Sequence, residues 1–115
     1  MIVFSMRIVT SDDQRSALLR TLGSVLGPTR VTPGCLDAHL YAELDRGRSM
    51  MLVEEWETRE QFDQQLDAEK LKRLVAAIEL SSEAPVVRID TVTSEEGVEA
   101  LGPHSPATRI RAAGQ

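Results

Sequence analysis

The chain has few aromatic residues and one cysteine, and it lacks both a basic stripe and a long apolar run. Only 3% of its 115 residues are aromatic, and Trp56 is the sole tryptophan. Because Cys35 is alone, an internal disulfide is excluded, and a reducing cytoplasm is the expected location. Nucleic-acid binding requires clustered basic side chains, so a net charge of −5 argues against a nucleic-acid partner.

The apolar segments also argue against a membrane partner. Runs such as residues 74–78 are far too short to span a bilayer. The first residues lack the basic region, apolar core and cleavage site of a signal peptide. A length of 115 residues fits one small domain, which would gain stability by burying surface in an oligomer.

The spacing of apolar residues predicts the order β-α-β-β-α-β. This is the ferredoxin-like fold of class α+β, in which both helices cover one face of a four-stranded antiparallel sheet. Residues 1–93 would form this domain, and residues 94–115 a partly flexible C-terminal extension. The predicted strands comprise residues 2–9, 35–44, 50–56 and 86–92.

Helix ends and breaks are marked by short motifs. Ser11 to Gln14 and Thr58 to Gln61 match the capping-box pattern, so each predicts a helix start. Gly27-Pro28 predicts the end of the first helix. In the second helix the apolar stripe changes phase at Asp67, which predicts a kink or two short helices.

The second strand alternates between an apolar and a polar face. Its apolar face would carry Leu36 and Ala38 toward the core, whereas Cys35, Asp37 and His39 would lie on the other face. Asp37 and His39 could hold a metal ion, but two ligands without a third are a weak signal, so no metal is expected.

The strongest candidate site lies where the third strand runs into a helix. Glu54 and Trp56 are two residues apart in a strand, so their side chains point to the same face. A carboxylate beside an indole under a helix either lines a pocket or is buried in the core at a cost in folding free energy. Glu54 is thus either a general base or an ion-pair partner of Lys70, Lys72 or Arg73, and Trp56 either stacks on a substrate or fills the core.

The opposite face of the sheet is apolar as well. Val3, Val9, Met51 and Val53 share this face, which the two helices leave bare. Because such an apolar surface is unfavourable in water, we expect a second copy of the chain to cover it, sheet against sheet, in a homodimer.

These features together resemble a known family. A Pro33-Gly34 turn precedes an alternating strand and a hairpin, a strand ends in Val53-Glu54-Glu55-Trp56, and a helix rich in Gln and Leu follows. Over residues 2–92 this order resembles the antibiotic biosynthesis monooxygenase (ABM) superfamily of dimeric α+β barrels. The resemblance implies a site between sheet and helices, and for some members oxygenation of quinols or other phenols without metal or flavin.

The chain departs from the family pattern at two places. No histidine occurs in the second helix, where Gln64, Gln65 and Lys70 lie instead, so the haem-degrading branch is not expected. Leu52 occupies the strand position at which oxygenating members often carry an asparagine. These departures favour an alternative, a non-catalytic homodimer that binds a small molecule or a partner.

The sequence therefore predicts a cofactor-independent monooxygenase that acts on a small quinol or polyphenolic aromatic. An enzyme should have an open pocket of about 300 Å³ or more, whereas in a scaffold Leu18, Leu22, Leu66 and Leu71 would close over Trp56. The predicted catalytic residues are Glu54 and Trp56, and the predicted substrate-binding residues are Leu52, Phe62, Lys70 and Arg73.

Overall fold

The computed structural model describes residues 1–45 and 47–103 and has the predicted α+β architecture. Its single sheet is antiparallel with the order β2-β3-β1-β4, and three α-helices accompany it, which confirms the ferredoxin-like prediction. The elements are β1 (Ile2–Val9), α1 (Arg15–Arg30), β2 (Cys35–Ala42), β3 (Ser49–Trp56), α2 (Arg59–Gln65), α3 (Ala68–Glu79) and β4 (Val86–Thr91).

Short 3-10 helices precede α1 at Asp12–Gln14 and follow β4 at Val98–Leu101. The C-terminal part of the predicted extension, residues 104–115, and Arg46 of the hairpin loop lie outside the described residues. Within the described part of the chain, no helix is both long enough and apolar enough to cross a bilayer.

The register of the sheet places the candidate residues of β3 in the core. Trp56 pairs with Ile2, and Glu54 pairs with Phe4 on one side and Ala38 on the other. Paired residues in an antiparallel sheet point to the same face, and all five of these residues are buried. The core face of the sheet therefore carries one carboxylate among apolar side chains.

The helical region after β3 is divided, as the phase change at Asp67 predicts. Thr58 Oγ1 accepts a hydrogen bond from the backbone N–H of Gln61 at 3.1 Å, which caps α2. Asp67 Oδ1 accepts one from the backbone N–H of Lys70 at 2.8 Å, which caps α3. This break puts Gln65 in the last turn of α2 and Lys70 in the first turn of α3.

The predicted start of α1 is confirmed only in position, because Ser11 precedes the 3-10 helix that leads into α1, and the predicted end is wrong. Ser11 caps no helix with its side chain; its backbone carbonyl accepts the N–H of Gln14 instead. At the other end, α1 continues through Pro28 to Arg30. A proline removes one N–H hydrogen bond and crowds the carbonyl four residues before it. Burial of the following residue, Thr29, favours continuation of the helix over this local preference.

The predicted alternation of β2 is wrong at its start. A register irregularity lies between Cys35 and Asp37, so Cys35 pairs with Trp56 and packs against the core. Leu36 is 54% exposed instead of buried. A bulge adds one residue to one strand and thereby inverts the inside-outside pattern on one side of it.

Candidate functional site

The carboxylate of Glu54 forms a buried ion pair with Lys70. Nζ of Lys70 lies 2.8 Å from Oε1 of Glu54. The side chain of Glu54 is 0% exposed and that of Lys70 is 10% exposed. Of the two sequence alternatives for Glu54, the ion pair is therefore formed, and its partner is Lys70 among the three candidate cations.

The two oxygens of Glu54 have different surroundings. Oε1 accepts hydrogen bonds from Lys70 Nζ and from Trp56 Nε1, the latter at 3.0 Å. Oε2 is buried and has no hydrogen-bond partner in the described part of the chain. A carboxylate oxygen that is both buried and unsatisfied is costly, and such atoms call for an explanation.

The ammonium of Lys70 lies in a cage of three acceptors. Besides Glu54, it donates to Thr29 Oγ1 at 3.1 Å and to Oε1 of Gln65. It also lies 5.5 Å from the centre of the Trp56 ring, within the range of a cation–π contact. The ammonium of Lys70 on α3 is thus contacted by side chains from α1, β3 and α2.

A cleft of about 140 Å³ opens above this cage, between α1 and α3. Lys70 and Arg73 are the only predicted site residues that line it. Both of the unpredicted cage residues, Thr29 and Gln65, line it too. Its remaining lining residues are Val25, Pro28, Thr32, Asp67 and Glu69.

Arg73 lies at the rim of the cleft rather than at its base. Its Nε donates to Glu69 Oε1 at 3.2 Å, and its Nη1 donates to the backbone carbonyl of Ser24 at 3.0 Å. The side chain is 38% exposed. Arg73 therefore ties α3 to α1 and presents positive charge at the entrance.

The other predicted site residues lie beneath the cleft. Leu52, Trp56 and Phe62 are each 0% exposed, and the rings of Trp56 and Phe62 meet edge to face at 6.5 Å. None of the three lines the cleft. Their predicted roles in catalysis and substrate binding stay predictions.

The closure expected of a scaffold is only partly formed. Leu18 and Leu22 are fully buried, and Leu66 is partly buried against the core. Leu71, however, is 46% exposed. The core around Trp56 is filled, and the cleft above Lys70 is open but, at about 140 Å³, smaller than the roughly 300 Å³ expected of an enzyme.

Sequence reasoning missed the contribution of Thr29 and Gln65 to this cage. The predicted end of α1 at Gly27-Pro28 placed Thr29 in a loop, where its side chain had no reason to face the core. Gln65 stood out only as a residue in the helix where relatives carry a histidine. The break at Asp67 was the one sequence signal that brought Gln65 and Lys70 together.

Cys35 and the pair Asp37–His39 lie apart from the cage. Burial, followed by the negative charge of Glu54, raises the pKa of the Cys35 thiol. His39 Nε2 lies 2.7 Å from Asp37 Oδ1, and both side chains are about half exposed. In residues 1–45 and 47–103, no group of three or more His, Cys, Asp or Glu side chains could hold a metal ion.

The comparison with known families agrees with this fold. The family model described as antibiotic biosynthesis monooxygenase matches residues 1–77. The chain belongs to the antibiotic biosynthesis monooxygenase family. A monooxygenase-type function is thereby supported, and proteins with the ABM fold are generally dimeric.

Solved structures give the same ABM fold. Rv0793 from Mycobacterium tuberculosis is 26% identical with a TM-score of 0.73, and the match covers 84% of this chain and 98% of that one. A candidate antibiotic biosynthesis monooxygenase from Deinococcus radiodurans is 14% identical with a TM-score of 0.77, covering 85% and 98%.

A third solved structure is that of a protein with a stated activity. It is an asparagine-to-alanine variant of SnoaB, a cofactor-independent oxygenase from Streptomyces nogalater. It is 17% identical with a TM-score of 0.70, and the match covers 82% of this chain and 94% of that one. At this identity the likeness shows the ABM fold alone. No curated protein matches the chain.

Proposed function

We propose that this ABM protein is a cofactor-independent monooxygenase that oxygenates a small quinol in the cleft between α1 and α3. The observation that carries the proposal is the buried Glu54–Lys70 pair at the base of that cleft, with one carboxylate oxygen that has no hydrogen-bond partner among residues 1–45 and 47–103. The family and the oxygenase chemistry of SnoaB support the same reaction class.

The pair would accept the phenolic proton by a relay. Lys70 Nζ lies 2.8 Å from Glu54 Oε1, so it can pass one proton to Glu54 and become a neutral amine. After rotation about its C–N bond, the lone pair of that amine accepts the phenolic proton. The net transfer is from the phenol to Glu54, and Lys70, again an ammonium, stabilises the phenolate beside it.

The phenolate would then react with oxygen directly. It gives one electron to O₂, and the resulting superoxide and substrate radicals combine at a ring carbon to form a peroxide. Loss of the ring proton and cleavage of the O–O bond release water and leave a carbonyl. One O₂ thus converts a quinol into a hydroxyquinone plus water, and the substrate itself supplies the electrons.

The size of the cleft favours a substrate with one ring. A cavity of about 150 Å³ accepts one benzene ring, and the cleft holds about 140 Å³. This is below the roughly 300 Å³ of a typical ligand pocket. A monocyclic quinol is therefore the substrate that fits without movement of α3.

The experiment that tests the proposal is oxygenation of 1,4-hydroquinone under ¹⁸O₂. The expected product is hydroxyquinone with one ¹⁸O atom, and catalase should return no oxygen because the second atom leaves as water. Benzoquinone without label, together with hydrogen peroxide, would mean simple autoxidation and would contradict a monooxygenase.

A second candidate function is a non-catalytic module that binds a small aromatic molecule. The filled core favours it, because Leu52, Trp56 and Phe62 are fully buried and do not reach the cleft. Such a protein would bind hydroquinone without accelerating oxygen uptake. Calorimetric binding combined with an oxygen electrode separates the two candidates.

We also infer that a second copy covers the open face of the sheet. Met51 is 37% exposed there, and Tyr41 next to it is 52% exposed. A concavity of about 330 Å³ lies between these residues and Arg7. Light scattering at micromolar concentration should give twice the 12.7 kDa of one chain; the mass of a single chain would contradict the inference.

A further inference from the structure

The ammonium of Lys70 has no N–H group left over for a ligand. It has three donors, and three acceptors already face it: Glu54 Oε1 at 2.8 Å, Thr29 Oγ1 at 3.1 Å and Gln65 Oε1. A substrate oxygen can therefore bind Nζ only if it displaces one of the three.

The three acceptors differ in the free-energy cost of displacing them from Lys70. Displacing Glu54 would leave a fully buried carboxylate without its cation, which is the most costly outcome. Thr29 is 3% exposed and its short side chain is fixed by α1. Gln65 is partly exposed, ends the seven-residue helix α2, and carries a neutral amide on a flexible side chain.

The position of Gln65 allows this displacement. It lines the cleft, so a molecule entering the cleft meets its amide next to Lys70. Its Nε2 donates to the carbonyl of Phe62 at 2.8 Å, which holds the amide in place while the cleft is empty. Rotation of the side chain would break only this bond and the one to Lys70.

We propose that Gln65 is a displaceable ligand of Lys70, replaced by a phenolic oxygen when an aromatic substrate enters the cleft. The inference rests on the proposed function, because it concerns the same ammonium. It makes Gln65 a specificity-determining residue: once the phenol has given its proton to the pair, its oxygen is an anion that outcompetes a neutral amide for an ammonium, whereas an apolar ring offers no acceptor in exchange.

The test is anaerobic calorimetry with two probes, 1,4-hydroquinone and toluene. Gln65→Ala removes the competing acceptor and should tighten hydroquinone binding about tenfold or more, because a hydrogen bond to a charged group no longer has to be broken. Toluene binding should not change. Gln64→Ala is the matched control, since Gln64 is exposed and bonds only Glu60, at 3.3 Å.

A second variant keeps the test decisive if Gln65→Ala disturbs α2. Gln65→Glu preserves the length of the side chain but makes the acceptor an anion, so hydroquinone binding should weaken about tenfold or more. Equal hydroquinone affinity in both Gln65 variants and the wild type would overturn the proposal. An equal gain in toluene affinity in Gln65→Ala would also overturn it, because that result would show only that the variant enlarges the cleft.

Oxygen uptake separates this proposal from the function on which it rests. Tighter hydroquinone binding by Gln65→Ala without oxygen uptake by any form would support the role of Gln65 and contradict the oxygenase. Failure of hydroquinone to bind to the wild type and both Gln65 variants would overturn the role of Gln65.

Discussion

Two ion pairs in this molecule have almost the same length and different consequences. Lys70 and Glu54 are 2.8 Å apart, and Arg59 and Asp63 are 2.9 Å apart. The first pair is 10% and 0% exposed, whereas the second is 58% and 56% exposed. Water screens the exposed charges, so we expect loss of one partner to affect stability more in the buried pair than in the exposed one.

The two pairs also differ in how the chain brings them together. Arg59 and Asp63 are one helical turn apart on α2, so local geometry alone places them. Glu54 and Lys70 come from β3 and α3, and the break between α2 and α3 aligns them. Burial and tertiary assembly, rather than distance, distinguish a candidate site from a surface contact.

The largest expected effect comes from removing the cation of the buried pair. Lys70→Met leaves the Glu54 carboxylate buried and unpaired, so the free energy of unfolding should fall by about 3–5 kcal/mol. Urea denaturation measures this change. The double variant Glu54→Met/Lys70→Met should recover most of the loss, because two apolar side chains then share the space; no recovery would mean that packing rather than charge dominates.

A smaller loss is expected from one neutral acceptor of the cage. Thr29→Val keeps the shape but removes Oγ1 from Lys70, and should cost about 1.5–3 kcal/mol of unfolding free energy. Thr21→Val is the matched control on α1, since the Thr21 hydroxyl donates only to the carbonyl of Ala17. Equal losses in the two variants would show that Thr29 does not support the cage.

The thiol of Cys35 reports the charge of Glu54. Burial and the Glu54 carboxylate both raise the Cys35 pKa, so Glu54→Gln should lower it. The midpoint of the alkylation rate against pH, measured with iodoacetamide, should shift to lower pH. An unchanged midpoint would mean that Glu54 carries no charge near the thiol.

The same raised pKa has a consequence for stability. The folded state favours the neutral thiol, so the contribution of Cys35 is complete below the thiol pKa of the unfolded chain. It is lost as the pH rises through the folded-state pKa. Part of the alkaline loss of stability should therefore disappear in Cys35→Ala, as urea denaturation at several pH values can measure.

The smallest effect is expected at the exposed pair. Asp63→Ala should change the free energy of unfolding by no more than about 0.5 kcal/mol, and 1 M salt, which reduces the screening length to about 3 Å, should remove most of the difference. A loss as large as that of Lys70→Met would contradict the contrast between the two pairs.

The fold was predictable because its signals are local and repeated. Strand alternation, the Thr58 cap and the phase change at Asp67 each fix one element, and together they specify the ferredoxin-like order. The errors lie where tertiary packing overrides a local signal. Burial of Thr29 favours continuation of α1 past Pro28, and a bulge in β2 directs the side chain of Cys35 toward the core.

The candidate site was predictable only in part. Strand parity put Glu54 on the core face, and an ion pair was one of two alternatives for it, with Lys70 among three candidate cations. Nothing in the spacing distinguished Lys70 from Lys72 or Arg73. The choice depends on where α3 begins, and that is set by the Asp67 cap.

The most direct test of the central claim is the rate of hydroquinone oxygenation by Glu54→Gln. This variant keeps the size of the side chain and an acceptor for Lys70, but it cannot take up the proton. We predict that the rate of oxygen uptake falls at least about hundredfold, as expected for loss of a general base, while calorimetry still detects hydroquinone binding. Full oxygen uptake by Glu54→Gln would contradict the claim that the buried Glu54–Lys70 pair accepts the substrate proton.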